Sequence, residues 1–215
     1  GFASLALFIV YASVLMDPNM NSTLHARLYG CSQATYFGLR LHIGVTVYES
    51  LLYLHMGKDI VTHLHHVIVI VNFSRALTYG TMHYYAAWLG TVEGTNVFLG
   101  ATFGMVRLGL QDNPWVQRWF VGLLVSFFTL RIISLPMCIY SVNEALSHNM
   151  LRPFPEGGTF WDDDLLFFRI GQVSIVFLWG LSSWWFSKMV KGALRRSRAA
   201  KKDKNGKNGT NGRDH

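Results

Sequence analysis

The sequence predicts an all-α membrane protein, a six-helix transmembrane bundle or barrel whose first helix is truncated. Three observations carry that expectation. Hydrophobic residues make up 51% of the 215 and charged residues only 14%, against about 25% charged in an ordinary soluble domain. The apolar residues gather into one partial and five fuller runs near the roughly 20 residues that a spanning helix needs. Lys and Arg fall in the connecting segments so that every loop can be given a side without conflict.

The runs are justified in order. Residues 1–16 (GFASLALFIVYASVLM) are apolar almost throughout. They start with Gly rather than Met and lack the basic n-region of a signal peptide, so they read as the remainder of a first span in a fragment. The fuller spans are expected at about 33–55, 60–78, 80–106, 118–142 and 165–190, those at 60–78 and 80–106 being interrupted by polar residues. Residues 1–190 thus form one transmembrane domain. The net charge of +7 comes mostly from the last 28 residues, KMVKGALRRSRAAKKDKNGKNGTNGRDH. Residues 191–215 are polar, Gly/Asn-rich and low in complexity, and are expected to be a disordered basic tail. The tail acts as a topology signal or as a contact for anionic headgroups. Cys31 and Cys138 lie in or near apolar segments without a CxxC pattern, as free structural thiols do.

Orientation follows from the same charges. The tail, with Lys191, Arg195, Arg196, Arg198, Lys201, Lys202 and Lys204, is expected in the cytosol. Arg107 and Arg118 then flank one cytosolic turn and Lys58 lies in another. The loop with Asp162, Asp163 and Asp164 faces the opposite side, as does the sequon at Asn21.

Ionisable groups within membrane spans usually face a protein interior or a wet cavity. Glu49, His63, His65, His66, Glu93 and Arg131 are such groups. Counted from turns near residues 57, 79 and 112, Glu49, the His pair, Glu93 and Arg131 come to equal depth within about 5 Å on successive antiparallel helices. One buried polar layer is therefore expected, either a set of helix-locking ion pairs such as Glu93 with Arg131 or a reactive or ligand-binding centre. Helical phase puts Asp59, His63, His66 and Ile70 on one stripe and Thr62, His65, Val69 and Asn72 on the next. The His pair straddles the two, so one ring can face a cavity while the other bonds to a neighbouring helix. Pro136, five residues after Arg131, is expected to kink its helix and free a carbonyl near the site.

The segment Lys58-Asp59, then Leu64-His65-His66-Val67, resembles the hallmark of TLC-domain proteins, the family that includes the ceramide synthases. Arg131-Ile132-Ile133-Ser134-Leu135-Pro136 resembles the Arg-x-x-x-x-Pro segment of their next-to-last helix, and Glu93 falls at an acidic position of the pattern. The resemblance covers about residues 1–190. It implies a six-helix membrane barrel around a site and, in the synthase branch, transfer of an acyl group from acyl-CoA to a sphingoid-base amine. Carried over, His65 and His66 would be the catalytic pair with Glu93 beside them, and acyl-CoA the co-substrate, no resident cofactor being expected. Glu49, Asp59, Asn96 and Arg131 would complete the polar layer. The synthases have two aspartates three residues apart where this chain has Glu93 and Asn96, and usually a hydroxyl residue where it has Val69. The expected branch is therefore a non-synthase one, acting by lipid binding or regulation in sphingolipid, ceramide or membrane-lipid homeostasis. A ceramide-synthase-like N-acyltransferase is the alternative.

His63-x-His65-His66 also resembles one histidine box of di-iron membrane hydroxylases. Those centres need about eight imidazoles from several boxes, whereas His25, His42, His55, His83 and His148 are scattered; no metal is expected. The expected partners are membrane lipids and not nucleic acid, a homodimer being left open. The expected location is the endoplasmic reticulum or another endomembrane.

Overall fold

The computed structural model describes residues 2–57, 60–111, 113–148 and 163–210, with side chains as far as 195. Helices are the only regular structure among these residues. They are α1 (Phe2–Leu15), two short helices α2 (Pro18–Asn21) and α3 (Leu24–Tyr29), α4 (Gln33–His55), α5 (Ile60–Tyr79), α6 (His83–Gly90), α7 (Gly94–Arg107), α8 (Pro114–Phe127), α9 (Ser134–Ser147) and α10 (Asp164–Thr210). A 3-10 turn, Thr91–Glu93, joins α6 to α7, and a π turn, Phe128–Ile133, joins α8 to α9. Six helical runs result. Ile60–Tyr79, Pro114–Ser147 and Asp164–Arg195 are long and apolar enough to cross a membrane, while Phe2–Leu15 is apolar but shorter.

Helix α4 shows why the polar runs read weakly in sequence. His42, Thr46, Glu49 and Tyr53, spaced four, three and four apart, lie on one face and line a cavity. Phe37, Tyr48, Leu51 and Leu54 on the other faces are exposed, each above 59%, as lipid contact demands. The helix is amphipathic with its polar side inward, and its average apolarity is diluted accordingly. The 83–107 run carries Thr91, Glu93, Thr95 and Asn96 in the same way.

The runs close into a ring. Helix α1 packs on α4 and on the α6–α7 run, α4 on α5, and α5 on α10. Helix α10 packs on α9 and the π turn, and α8 and α9 pack back on α7 and α6. The expected turns near 57 and 112 form at Gly57 and Gly109, whose φ angles of 63° and 75° suit a residue without Cβ. The half of the ring nearest α2 and α3 is the more closely packed. Leu7, Tyr11 and Val14 of α1 meet Tyr85 and Ala87 of α6, Cys138 and Val142 of α9, and Ile175 of α10 in one core. Gly90 lets α6 approach the Tyr11 ring, where any Cβ would collide.

Helix α10 continues past residue 191 to Thr210. Its Lys-Gly-Ala-Leu-Arg-Arg-Ser-Arg-Ala-Ala-Lys-Lys stretch is mostly good helix formers, and a preformed helix propagates easily into such residues. Residues 17–32, between the first two expected spans, contain α2 and α3, each started by a side-chain cap. Asp17 accepts from the Asn19 amide at 2.9 Å and Thr23 from the Ala26 amide at 3.0 Å.

Candidate functional site

The half of the ring away from α2 and α3 encloses a chamber of about 340 Å³ between α1, α4, α5, α7, the π turn and α10. Glu49, His65, His66, Glu93, Asn96 and Arg131 all line it. The residues that depth counting puts at one level, Glu49, His65, His66, Glu93 and Arg131, thus share one chamber. Asp59 lies outside the described residues.

The two adjacent imidazoles divide their tasks. His66 is buried, its Nδ1 is 2.9 Å from the Ser50 hydroxyl on α4, and its ring stacks on Tyr53 at 5.5 Å. Its Nε2 lies 3.9 Å from Oε2 of Glu49. His65 sits on the adjacent stripe and faces the chamber, its ring 5.6 Å from that of His66 and edge-on to Trp185 at 6.5 Å. Its Nδ1 is buried and bonded to no group among the described residues.

Glu93 ends the 3-10 turn. Asn96 Nδ2 donates to its Oε2 at 2.9 Å, and His42 Nε2 stands 3.7 Å from its Oε1. A carboxylate at position 96 would repel Glu93, whereas the amide of Asn96 holds it in orientation. His42 Nδ1 lies 3.3 Å from the Tyr11 hydroxyl, so a polar chain runs from α1 through α4 to α7. Sequence reasoning left His42 among the scattered histidines. Its signal was helical spacing, since it falls seven residues before Glu49 on the same face.

Arg131 is buried but does not pair with Glu93. Its Nε donates to the Thr95 hydroxyl at 3.0 Å, Nη2 points to the Val92 carbonyl at 3.4 Å, and the guanidinium lies 5.2 Å over Phe127. Equal depth fixes height, not rotation. Arg131 sits inside the π turn, whose extra residue per turn shifts the phase of the helix and aims the side chain at the start of α7. The carbonyl that Pro136 frees, that of Ile132, is also placed differently from expectation. Trp179 of α10 donates its Nε1 to it at 3.2 Å, so it ties two helices together and does not line the chamber.

A smaller pocket of about 40 Å³ adjoins the chamber on the side of the packed half, shares His42, His65, Val69 and Glu93 with it, and is lined further by apolar residues such as Phe73, Leu89 and Leu178 together with the polar Asn72 and Ser174. A further pocket of about 30 Å³ shares Phe73 and Leu89 and ends at Arg75 and Asp164. There Arg75 Nη2 meets Asp164 Oδ1 at 2.9 Å, Nη1 donates to Thr81 at 3.1 Å, and the Tyr29 hydroxyl donates to Asp164 at 3.2 Å. Arg75 also covers the Tyr79 ring at 3.7 Å. This buried ion pair, which joins α5 to α10, was not foreseen. Asp164 was read as part of a loop, and it begins a helix.

Among the described residues no group of three or more His, Cys, Asp or Glu could hold a metal ion. Fold and site together define a multi-pass, all-α membrane protein with a polar chamber built between its helices. The TLC domain model matches residues 2–191. The chain belongs to the TLC-domain family, membrane proteins related to lipid metabolism or homeostasis. No curated protein and no solved structure matches the chain.

Proposed function

We propose that the chamber receives the polar end of a membrane lipid and that the protein acts in membrane-lipid homeostasis by binding that lipid. The observation that carries this reading is that the polar chamber shares His42, His65 and Glu93 with a smaller, mostly apolar pocket on the side of α10. A lipid has the same division, a headgroup that needs hydrogen bonds and a chain that needs to avoid them. His65 Nδ1 and the Glu49 carboxylate offer the pairing for a hydroxyl or an amine. Native mass spectrometry of the full-length protein, purified in mild detergent, tests the reading. A lipid that stays bound to the wild type and is lost from the Glu93→Gln and His65→Ala variants supports it. Equal lipid on all three contradicts it.

A second reading, N-acyl transfer, is favoured by the unbonded imidazole nitrogen of His65. There His65 takes the proton of a long-chain amine as its nitrogen attacks the acyl-CoA carbonyl. The C–S bond breaks, and the thiolate leaves with a proton. Incubation with mixed acyl-CoA species and long-chain amines, read by mass spectrometry, separates the two. Amide product that disappears in His65→Ala supports transfer; bound lipid without product supports the binding reading. The endomembrane location and the cytosolic tail belong to both readings, and protease protection on sealed microsomes checks the tail.

A further inference from the structure

Outside the ring, on the α2–α3 half, lies an open groove of about 570 Å³. Arg27 of α3 and Glu144 of α9 both line it, together with Tyr84 and Trp88 of α6 and Met137 and Tyr140 of α9. Arg27 is held in place. Its Nε donates to the carbonyl of Asn21 at 3.3 Å and to the Asn21 side chain at 3.1 Å, and its guanidinium lies 5.5 Å over the Tyr84 ring. Among the described residues no hydrogen bond or ion pair engages its two terminal nitrogens. Glu144 is exposed, and its carboxylate has no hydrogen bond or ion pair among the described residues. Met137 and Tyr140 are exposed at 56% and 73%, an apolar floor on a helix whose continuous run Pro114–Ser147 is long and apolar enough to cross a membrane.

We infer that this groove is a fixed binding site for a zwitterionic glycerophospholipid, its phosphate on Arg27, its ammonium toward Glu144 and its acyl chains on Met137 and Trp88. The groove presents one cation on α3 and one anion on α9, and a phosphate–ammonium headgroup complements both at once. An anionic headgroup would meet Glu144 as a like charge, and a neutral diacylglycerol would leave both charges unmatched. The Arg27 guanidinium, fixed through Nε, keeps a two-pronged donor for phosphate without losing side-chain freedom on binding. Tyr84, Trp88 and Tyr140 are of the residue types that sit at the level of lipid headgroups. The site lies outside the chamber and does not depend on the function proposed for it.

The test is lipid selection by the full-length protein in nanodiscs of equimolar phosphatidylcholine, phosphatidylethanolamine, phosphatidylglycerol and diacylglycerol. The protein is then released into detergent, and retained lipids are identified by native mass spectrometry. The wild type is expected to keep phosphatidylcholine or phosphatidylethanolamine. Arg27→Ala is expected to lower that retention about tenfold through loss of a charge-assisted contact. Glu144→Lys, at an exposed position where folding is not at stake, should shift the preference to phosphatidylglycerol. Phosphatidylglycerol or diacylglycerol retained preferentially by the wild type overturns the proposal, and so does a selection that Glu144→Lys leaves unchanged. If Arg27→Ala does not fold, the Glu144→Lys result alone decides.

Discussion

The two halves of the ring each bury an arginine, and they satisfy it in opposite ways. In the packed half, Arg75 meets a carboxylate, Asp164, at 2.9 Å, with Thr81 bonded to the same guanidinium and Tyr79 beneath it. In the open half, among the described residues, Arg131 bonds only neutral oxygens, from Thr95 and Val92. Glu93 is held by the amide of Asn96, with the His42 imidazole beside it. Charges that neutralise one another leave nothing over for a ligand. Charges steadied by neutral groups keep their field, and in this chain that field points into a cavity. Under the proposed function, the difference separates a lock from a site.

Breaking the lock should have the largest effect. Asp164→Asn leaves Arg75 buried without its counter-charge, a change that commonly costs about 3–5 kcal/mol. Protein abundance should fall steeply, and the double variant Arg75→Met with Asp164→Leu should recover part of it. If the single variant accumulates normally, the pair is not a lock. Arg131→Met should cost less, about 1.5–3 kcal/mol for hydrogen bonds to a charged group, read as thermal unfolding in detergent. Adding Glu93→Gln should bring no rescue, because the two are not partners. A double variant more stable than Arg131→Met would restore the ion pair that the geometry denies. Gly90→Ala forces a methyl against Tyr11, and overpacking of that kind costs about 1–3 kcal/mol. An unchanged unfolding temperature would mean that α1 is not seated as described. His66→Ala should cost only about 0.5–1.5 kcal/mol, since Ser50 keeps its bond to the Thr46 carbonyl at 2.7 Å.

The same contrast explains what the sequence made legible. Apolar runs and the Lys/Arg bias were enough for an all-α membrane fold, because lipid selects strongly for helix length and for an apolar exterior. Depth is likewise a one-dimensional quantity, and counting from the turns gathered Glu49, His65, His66, Glu93 and Arg131 around one cavity. Rotation was not legible. The 3-10 turn at Glu93 and the π turn at Arg131 alter helical phase where phase mattered most, so the partners of Arg131 were missed. The Arg75–Asp164 pair spans 89 positions in sequence and leaves no local pattern. His42 did leave one, the spacing of four, three and four with Thr46, Glu49 and Tyr53.

The central proposal is that His65, unlike the hydrogen-bonded Arg131 and His66 beside it, serves a lipid and not the fold, and His65 tests it most directly because its Nδ1 holds no partner among the described residues. The measurement is His65→Ala against wild type, read for retained lipid by native mass spectrometry and for unfolding temperature after delipidation. The account predicts retained lipid lowered about tenfold with an unfolding temperature within about 2 °C of wild type. An unfolding temperature that falls by many degrees while the retained lipid stays the same would contradict it.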